Sequence, residues 1–99
     1  MPKLHAEADD ADDVRDLLAR HKNLSHLRVR RRADCLIVES GPDNDPTRHA
    51  RFRRVTVGLW ILDAATHDGR WESTMHRAPL TQLVDTLVKD FPWLVSEAG

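Results

Sequence analysis

Two stretches of this chain alternate arginine with apolar residues, Arg28-Val29-Arg30 and Ala50-Arg51-Phe52-Arg53. In an extended strand successive side chains point to opposite faces. Each stretch therefore sets its guanidinium groups on one face and its apolar groups on the other. The guanidinium is a planar fork of fixed charge that grips phosphate or carboxylate at two points and stacks on rings. Arg28, Arg30, Arg51 and Arg53 are the candidate ligand-binding residues, with Arg32 and Arg54 at the margins of the same stretches. The chemistry they suit is recognition of an anion.

A second set of residues suits catalysis. Metal-independent cleavage of RNA through the ribose 2′-hydroxyl needs a general base, a general acid and a cation for the developing phosphate charge. Glu72, His76 and His49 are the acid–base candidates, and Arg51 or Arg53 the cation. Glu72 and His76 stand four apart on an expected strand, on one side at ~13 Å, a gap that a substrate phosphate would have to bridge. In size and layout the chain is similar to small toxin nucleases, which back a sheet with helices.

Other chemistries are poorly served. The single cysteine, Cys35, lies beside Leu36-Ile37-Val38 and reads as a small core residue; alone it forms no intramolecular disulfide. The histidines at 5, 21, 26, 49, 67 and 76 show neither i, i+4 spacing nor a paired-cysteine motif. No metal and no cofactor is expected. No stretch approaches the ~18 apolar residues of a membrane span, and the N-terminus lacks an apolar signal region. A soluble, cytoplasmic protein that does not enter membranes is expected.

The formal net charge of −1 conceals a strong pattern. Residues 1–20 sum to −3, residues 21–60 to +5 and residues 61–99 to −3, with eight of the twelve arginines in the middle segment. A basic centre lies between acidic ends. Those ends either neutralise the centre within the fold or leave it for a partner.

The elements that must position these residues follow from periodicity. Ala11, Val14, Leu17 and Leu18 make a helical stripe over roughly 9–22, with Asp9 or Asp10 as cap and Asn23 as a left-handed stop. Residues 26–30 and 35–39 read as strands joined by a turn at Arg32-Ala33-Asp34, and 41–49 as a long loop rich in breakers. The run from His49 to Leu62 alternates, but its parity breaks at Gly58, which marks a bulge or a turn. Asp68-Gly69 signals a two-residue hairpin. That turn would set Trp71 opposite Thr66, put Trp60, Leu62, Trp71 and Met75 in the core, and put Asp63, Glu72, Thr74 and His76 on the open face. Leu80, Leu83, Val84, Leu87, Val88 and Phe91 form the final helix, after Pro79 and before Pro92.

The expected fold class is α+β (α-β-β-β-β-α). An antiparallel sheet of four to five strands carries an N-terminal and a C-terminal helix packed on one face. One domain, 1–99, is expected, with residues 1–8 and 96–99 frayed. This order is similar in outline to the double-stranded-RNA-binding domain. That module has a basic cluster at the start of its final helix, where this chain reads Met75-His76-Arg77-Ala78-Pro79, and it contacts RNA with a first helix that is acidic here. The resemblance extends to topology and not to the binding residues.

The expectation is a small non-enzymatic binding module that presents an Arg-rich sheet face to an anionic partner, in the first place nucleic acid. An acidic protein surface is the alternative partner, for an antitoxin, immunity or adaptor subunit or a homodimer. A metal-independent ribonuclease is the third reading. A purely structural outcome, with the arginines paired across strands to Glu39, Asp63 and Glu72, competes with all three.

Overall fold

The computed structural model describes residues 5–21 and 24–96. The chain order is α1 (Ala8–Ala19), β1 (Arg28–Arg32), β2 (Cys35–Ser40), β3 (Thr47–Thr56), β4 (Leu59–Ala65), β5 (Trp71–Ala78), α2 (Leu80–Asp90) and the single turn α3 (Pro92–Val95). The five strands pair antiparallel in the order β1-β2-β3-β4-β5. Short connections make sequence neighbours sheet neighbours, so the α+β architecture with an antiparallel sheet stands, with five strands.

α1 starts at Ala8, and Asp10 in its first turn accepts the Glu7 backbone N–H at 2.9 Å. The expected stop at Asn23 lies outside the described residues. Ala11, Val14 and Leu18 of α1, Leu80, Leu83, Val84 and Leu87 of α2, and Val95 of α3 belong to one buried cluster. The same cluster holds Val29, Leu36, Val38, Ala50, Phe52, Trp60 and Leu62 from the strands. Leu36 and Val38 alternate along β2 with Cys35, Ile37 and Glu39, which are buried but lie outside that cluster. The sheet thus has a core side and a second, separately covered side.

Besides a β2–β3 bulge that leaves His49 unpaired, three irregularities decide which side chains reach that second side. The β3–β4 hairpin turns at Val57-Gly58, where Gly58 has φ +79, and the pairing passes from Arg54↔Trp60 to Thr56↔Leu59, leaving Val55 as an extra residue. The parity break at Gly58 is therefore a turn with a bulge beside it.

The β4–β5 hairpin differs from expectation by one residue. Thr66 N–H donates to the Arg70 carbonyl at 2.8 Å and Gly69 N–H to the Thr66 carbonyl at 3.1 Å. Three residues, 67–69, form the loop, with Gly69 at φ +85, and Trp71 pairs with Ala65 rather than Thr66. A one-residue slip moves every side chain of a strand to the other face. Trp71 accordingly leaves the core side and Glu72 joins it, reversing the sequence expectation for both.

Further along β5 the register jumps from Asp63↔Ser73 to Ile61↔Arg77. Met75 takes a left-handed φ of +67 and is 78% exposed, rather than lying in the core. The Thr74 hydroxyl donates to the Leu62 carbonyl at 2.8 Å, satisfying a backbone group that the bulge would otherwise leave bare.

Candidate functional site

The side of the sheet away from the core cluster is built in cross-strand rows. Register sets Arg32, Cys35, Arg53, Ile61 and Arg77 in one row, and Arg30, Ile37, Arg51, Asp63 and Ser73 in the next. Arg28 pairs with Glu39, and beyond a bulge Glu39 pairs with Arg48. Seven arginines therefore share this face with two strand carboxylates, Glu39 and Asp63. Cys35, Ile37 and Ile61 between them are buried, as expected when arginine stems lie over an apolar floor and keep their heads in water.

Both carboxylates are almost fully enclosed, with side-chain exposures of 1% for Glu39 and 2% for Asp63. Each is held by two arginines. Asp63 Oδ2 accepts from Arg51 Nε at 2.7 Å and from Arg53 Nε at 3.2 Å. Glu39 lies 2.7 Å from Arg30 Nε and 3.4 Å from an Arg28 terminal nitrogen. Arg28 also bonds the Gly41 and Pro42 carbonyls, which ties the 41–46 loop to β1. For Arg30, Arg51 and Arg53 the contact to carboxylate runs through Nε. Among the described residues, the terminal amino groups of these three make no hydrogen bond to protein.

Trp71 completes the surface. The Arg51 guanidinium lies 4.7 Å from the Trp71 ring centroid, a stacking contact that further fixes its plane. Arg32, Arg48, Arg51 and Trp71 line a shallow cleft whose floor is Cys35 and Ile37. Burial, with the Asp34 carboxylate hydrogen-bonded to the sulfur, raises the Cys35 thiol to about 11. It is a neutral floor residue at neutral pH.

Of the sequence-derived ligand candidates, Arg28, Arg30, Arg32, Arg51 and Arg53 meet on this face. Arg54 does not. It pairs with Trp60, lies 5.4 Å from that ring, and donates to the His5 carbonyl at 2.9 Å and to Asp10 at 3.5 Å. It fastens the N-terminal segment and α1 to the core side. Arg48 and Arg77 complete the array. Arg48 arrives through the β2–β3 bulge, which alternation within one strand does not reveal.

The three acid–base candidates fall in three different places. Glu72 pairs with Ala64 on the core-side row and is exposed. The His76 ring packs edge-on against Phe91 at 5.8 Å. His49 is the extra residue of the β2–β3 bulge, so it drops out of the cross-strand rows that hold the arginines. It meets the Ser40 hydroxyl at 2.7 Å, the His26 ring at 6.2 Å and the Leu94 backbone. Burial lowers its pKa, and the Leu94 hydrogen bond only partly opposes this. The structure does not bring these groups to one point. The pairing of arginine with Asp63 and Glu39 is present, whereas pairing with Glu72 is not, because the hairpin slip removes it from this face.

Of the acidic ends, the C-terminal one reaches the arginine face through Asp63. Among the described residues, ion pairs of α1 run within the helix, Arg15 with Asp12 at 2.8 Å, or to Arg54 on the core side. No His, Cys, Asp and Glu group of three or more suited to a metal ion occurs among the described residues. No helix there is long and apolar enough to cross a membrane. No family model matches the chain, and neither the curated proteins nor the solved structures contain a match to it.

Proposed function

We propose that the protein binds a polyanion on its arginine face and that the polyanion is nucleic acid. The observation that carries this reading is the mode of holding: buried Asp63 accepts from Nε of Arg51 and Arg53, Arg30 Nε lies 2.7 Å from buried Glu39, and among the described residues the terminal amino groups of these three arginines make no hydrogen bond to protein. A guanidinium fixed in this way retains two amino groups for phosphate and has already lost much of its side-chain freedom, which lowers the entropic cost of binding. Arg32 and Arg48 have no ion pair among the described residues and add further positive charge. The geometry favours binding over RNA cleavage, since Glu72, His49 and His76 are dispersed.

Phosphate contacts release counterions. Four or five of them on a single strand give a log–log slope of affinity against salt of roughly −3 to −4. Fluorescence anisotropy with a labelled oligonucleotide over a salt series measures it. Joint replacement Arg51→Ala and Arg53→Ala is expected to remove most of the binding. Absence of binding to RNA and DNA at high micromolar protein in low salt overturns the reading.

A further inference from the structure

At one end of the sheet a groove of 520 Å³ runs between the start of β3, the end of β4, the start of β5 and α3. Its volume falls inside the range of about 300–1,000 Å³ typical of sites for compact ligands. Two indole rings, Trp71 and Trp93, stand on its walls, and Arg48 and Arg70 supply charge; no carboxylate is among the described lining residues. Arg48 and Trp71 also line the cleft over Ile37 and Cys35. They are thus the junction at which the groove opens onto the arginine face.

Trp93 is the unusual member. It is 65% exposed, sits on a helix of only four residues, and its one aromatic partner among the described residues is Phe91, edge-on at 5.6 Å. Its neighbours Leu94 and Val95 pack on the core, so α3 is held in place while the indole remains open. A rigidly carried, open indole is a stacking platform. Arg70 is bound only loosely, with Asp68 at 3.8 Å, and is itself exposed.

We infer that this groove is the subsite for an unpaired base of single-stranded nucleic acid, with Arg48 receiving the adjoining phosphate and the strand continuing over Arg51 and Arg53. The inference rests on the polyanion reading and sharpens it to single strands. A flat ring system needs an apolar wall, and its phosphate needs a cation one step away; the groove offers both at the border of the array. A base held in a duplex is stacked above and below and presents only its edges, so it cannot occupy such a groove without being extruded.

The test compares a labelled twelve-nucleotide oligothymidylate with a twelve-base-pair duplex at one salt concentration, by anisotropy and by quenching of tryptophan emission. The parent protein is expected to prefer the single strand at least tenfold and to show quenching on saturation. Trp93→Ala, at an exposed position, is expected to weaken single-strand binding about 5- to 100-fold while changing duplex binding less than twofold; Trp93→Phe restores much of the loss. Equal affinity for both probes, or an unchanged single-strand affinity in Trp93→Ala, overturns the groove inference and leaves the arginine face standing. Failure of both probes to bind the parent overturns both readings.

Discussion

Asp63→Asn separates an aspartate that positions arginines from one that merely offsets their charge. The carboxylate is 2% exposed and Oδ2 accepts from Arg51 and Arg53 at 2.7 and 3.2 Å. The amide keeps the size and loses the charge, leaving two guanidinium groups side by side with no anion between them. Removing one partner of a fully buried pair costs about 3–5 kcal/mol. The arginine side chains are 24% and 39% exposed. Solvent therefore screens part of the effect, and a loss of about 2–3 kcal/mol is expected. With a urea slope of roughly 1–2 kcal/mol per molar, the unfolding midpoint drops by about 1–3 M. Binding moves against the net charge. The variant face is one unit more positive, yet its guanidinium groups are no longer held, and oligonucleotide affinity is expected to fall about 3- to 10-fold through lost preorganisation. Urea titration followed by circular dichroism and anisotropy at fixed salt give the two readings. A midpoint within about 0.3 M of the parent refutes the buried-clamp account, and a tightened affinity refutes the preorganisation account.

Burial depresses the His49 pKa below its usual 6.5, so the unfolded chain takes up the proton first as pH falls. Stability should be full above that value and decline as pH drops from it toward the folded-state pKa, and His49→Gln should flatten that decline in urea midpoints taken between pH 5 and 8. The Cys35 thiol, raised from 9.0 to about 11, should hold roughly 100-fold less thiolate than an ordinary cysteine at pH 8. Its reaction with a disulfide reagent should be correspondingly slow in the folded protein and fast in urea; equal rates would show the thiol to be free of both burial and Asp34. Arg54→Ala should cost about 1–2 kcal/mol by removing a bond to the His5 carbonyl and a ring contact to Trp60. Proteolysis should quicken near the N-terminus with no change in oligonucleotide affinity, because Arg54 stands on the opposite side of the sheet from Arg51.

Much of this architecture is legible in the residues themselves. Arg28-Val29-Arg30 and Ala50 to Arg53 alternate with period two, and burial on one face enforces that period. α2 is likewise legible because Leu80, Leu83, Val84 and Leu87 recur at helical spacing. What alternation cannot supply is a change of count between paired strands. Asp68-Gly69 fits a two-residue turn and equally a longer one with Gly69 left-handed; the difference is a single residue, and it carries Trp71 to the arginine face and Glu72 away from it. The bulge at Met75 depends on a left-handed methionine and a threonine hydroxyl that replaces a ladder bond, neither of which a pattern of apolar residues encodes. The bulge opposite Glu39 likewise drops His49 from the rows and brings Arg48 in. Glu39 and Asp63 are readable as partners for arginine, but their near-complete burial comes from the stems laid over them by neighbouring strands.

The order of the sheet leaves β1 and β5 as its two margins, and neither accepts an added strand readily. β1 reads Arg28-Val29-Arg30-Arg31-Arg32. A second copy approaching antiparallel along it in the symmetric register would set Arg28 against Arg32 and Arg30 against Arg30, a like-charge repulsion at most cross-strand pairs. β5 is broken by the left-handed Met75 and its bulge, so its free backbone groups do not form one straight ladder. On the proposed reading, copies of this protein crowded along a polyanion would therefore be kept from fusing edge to edge into a continuous sheet, and molecules on adjacent stretches of strand would remain separate bodies.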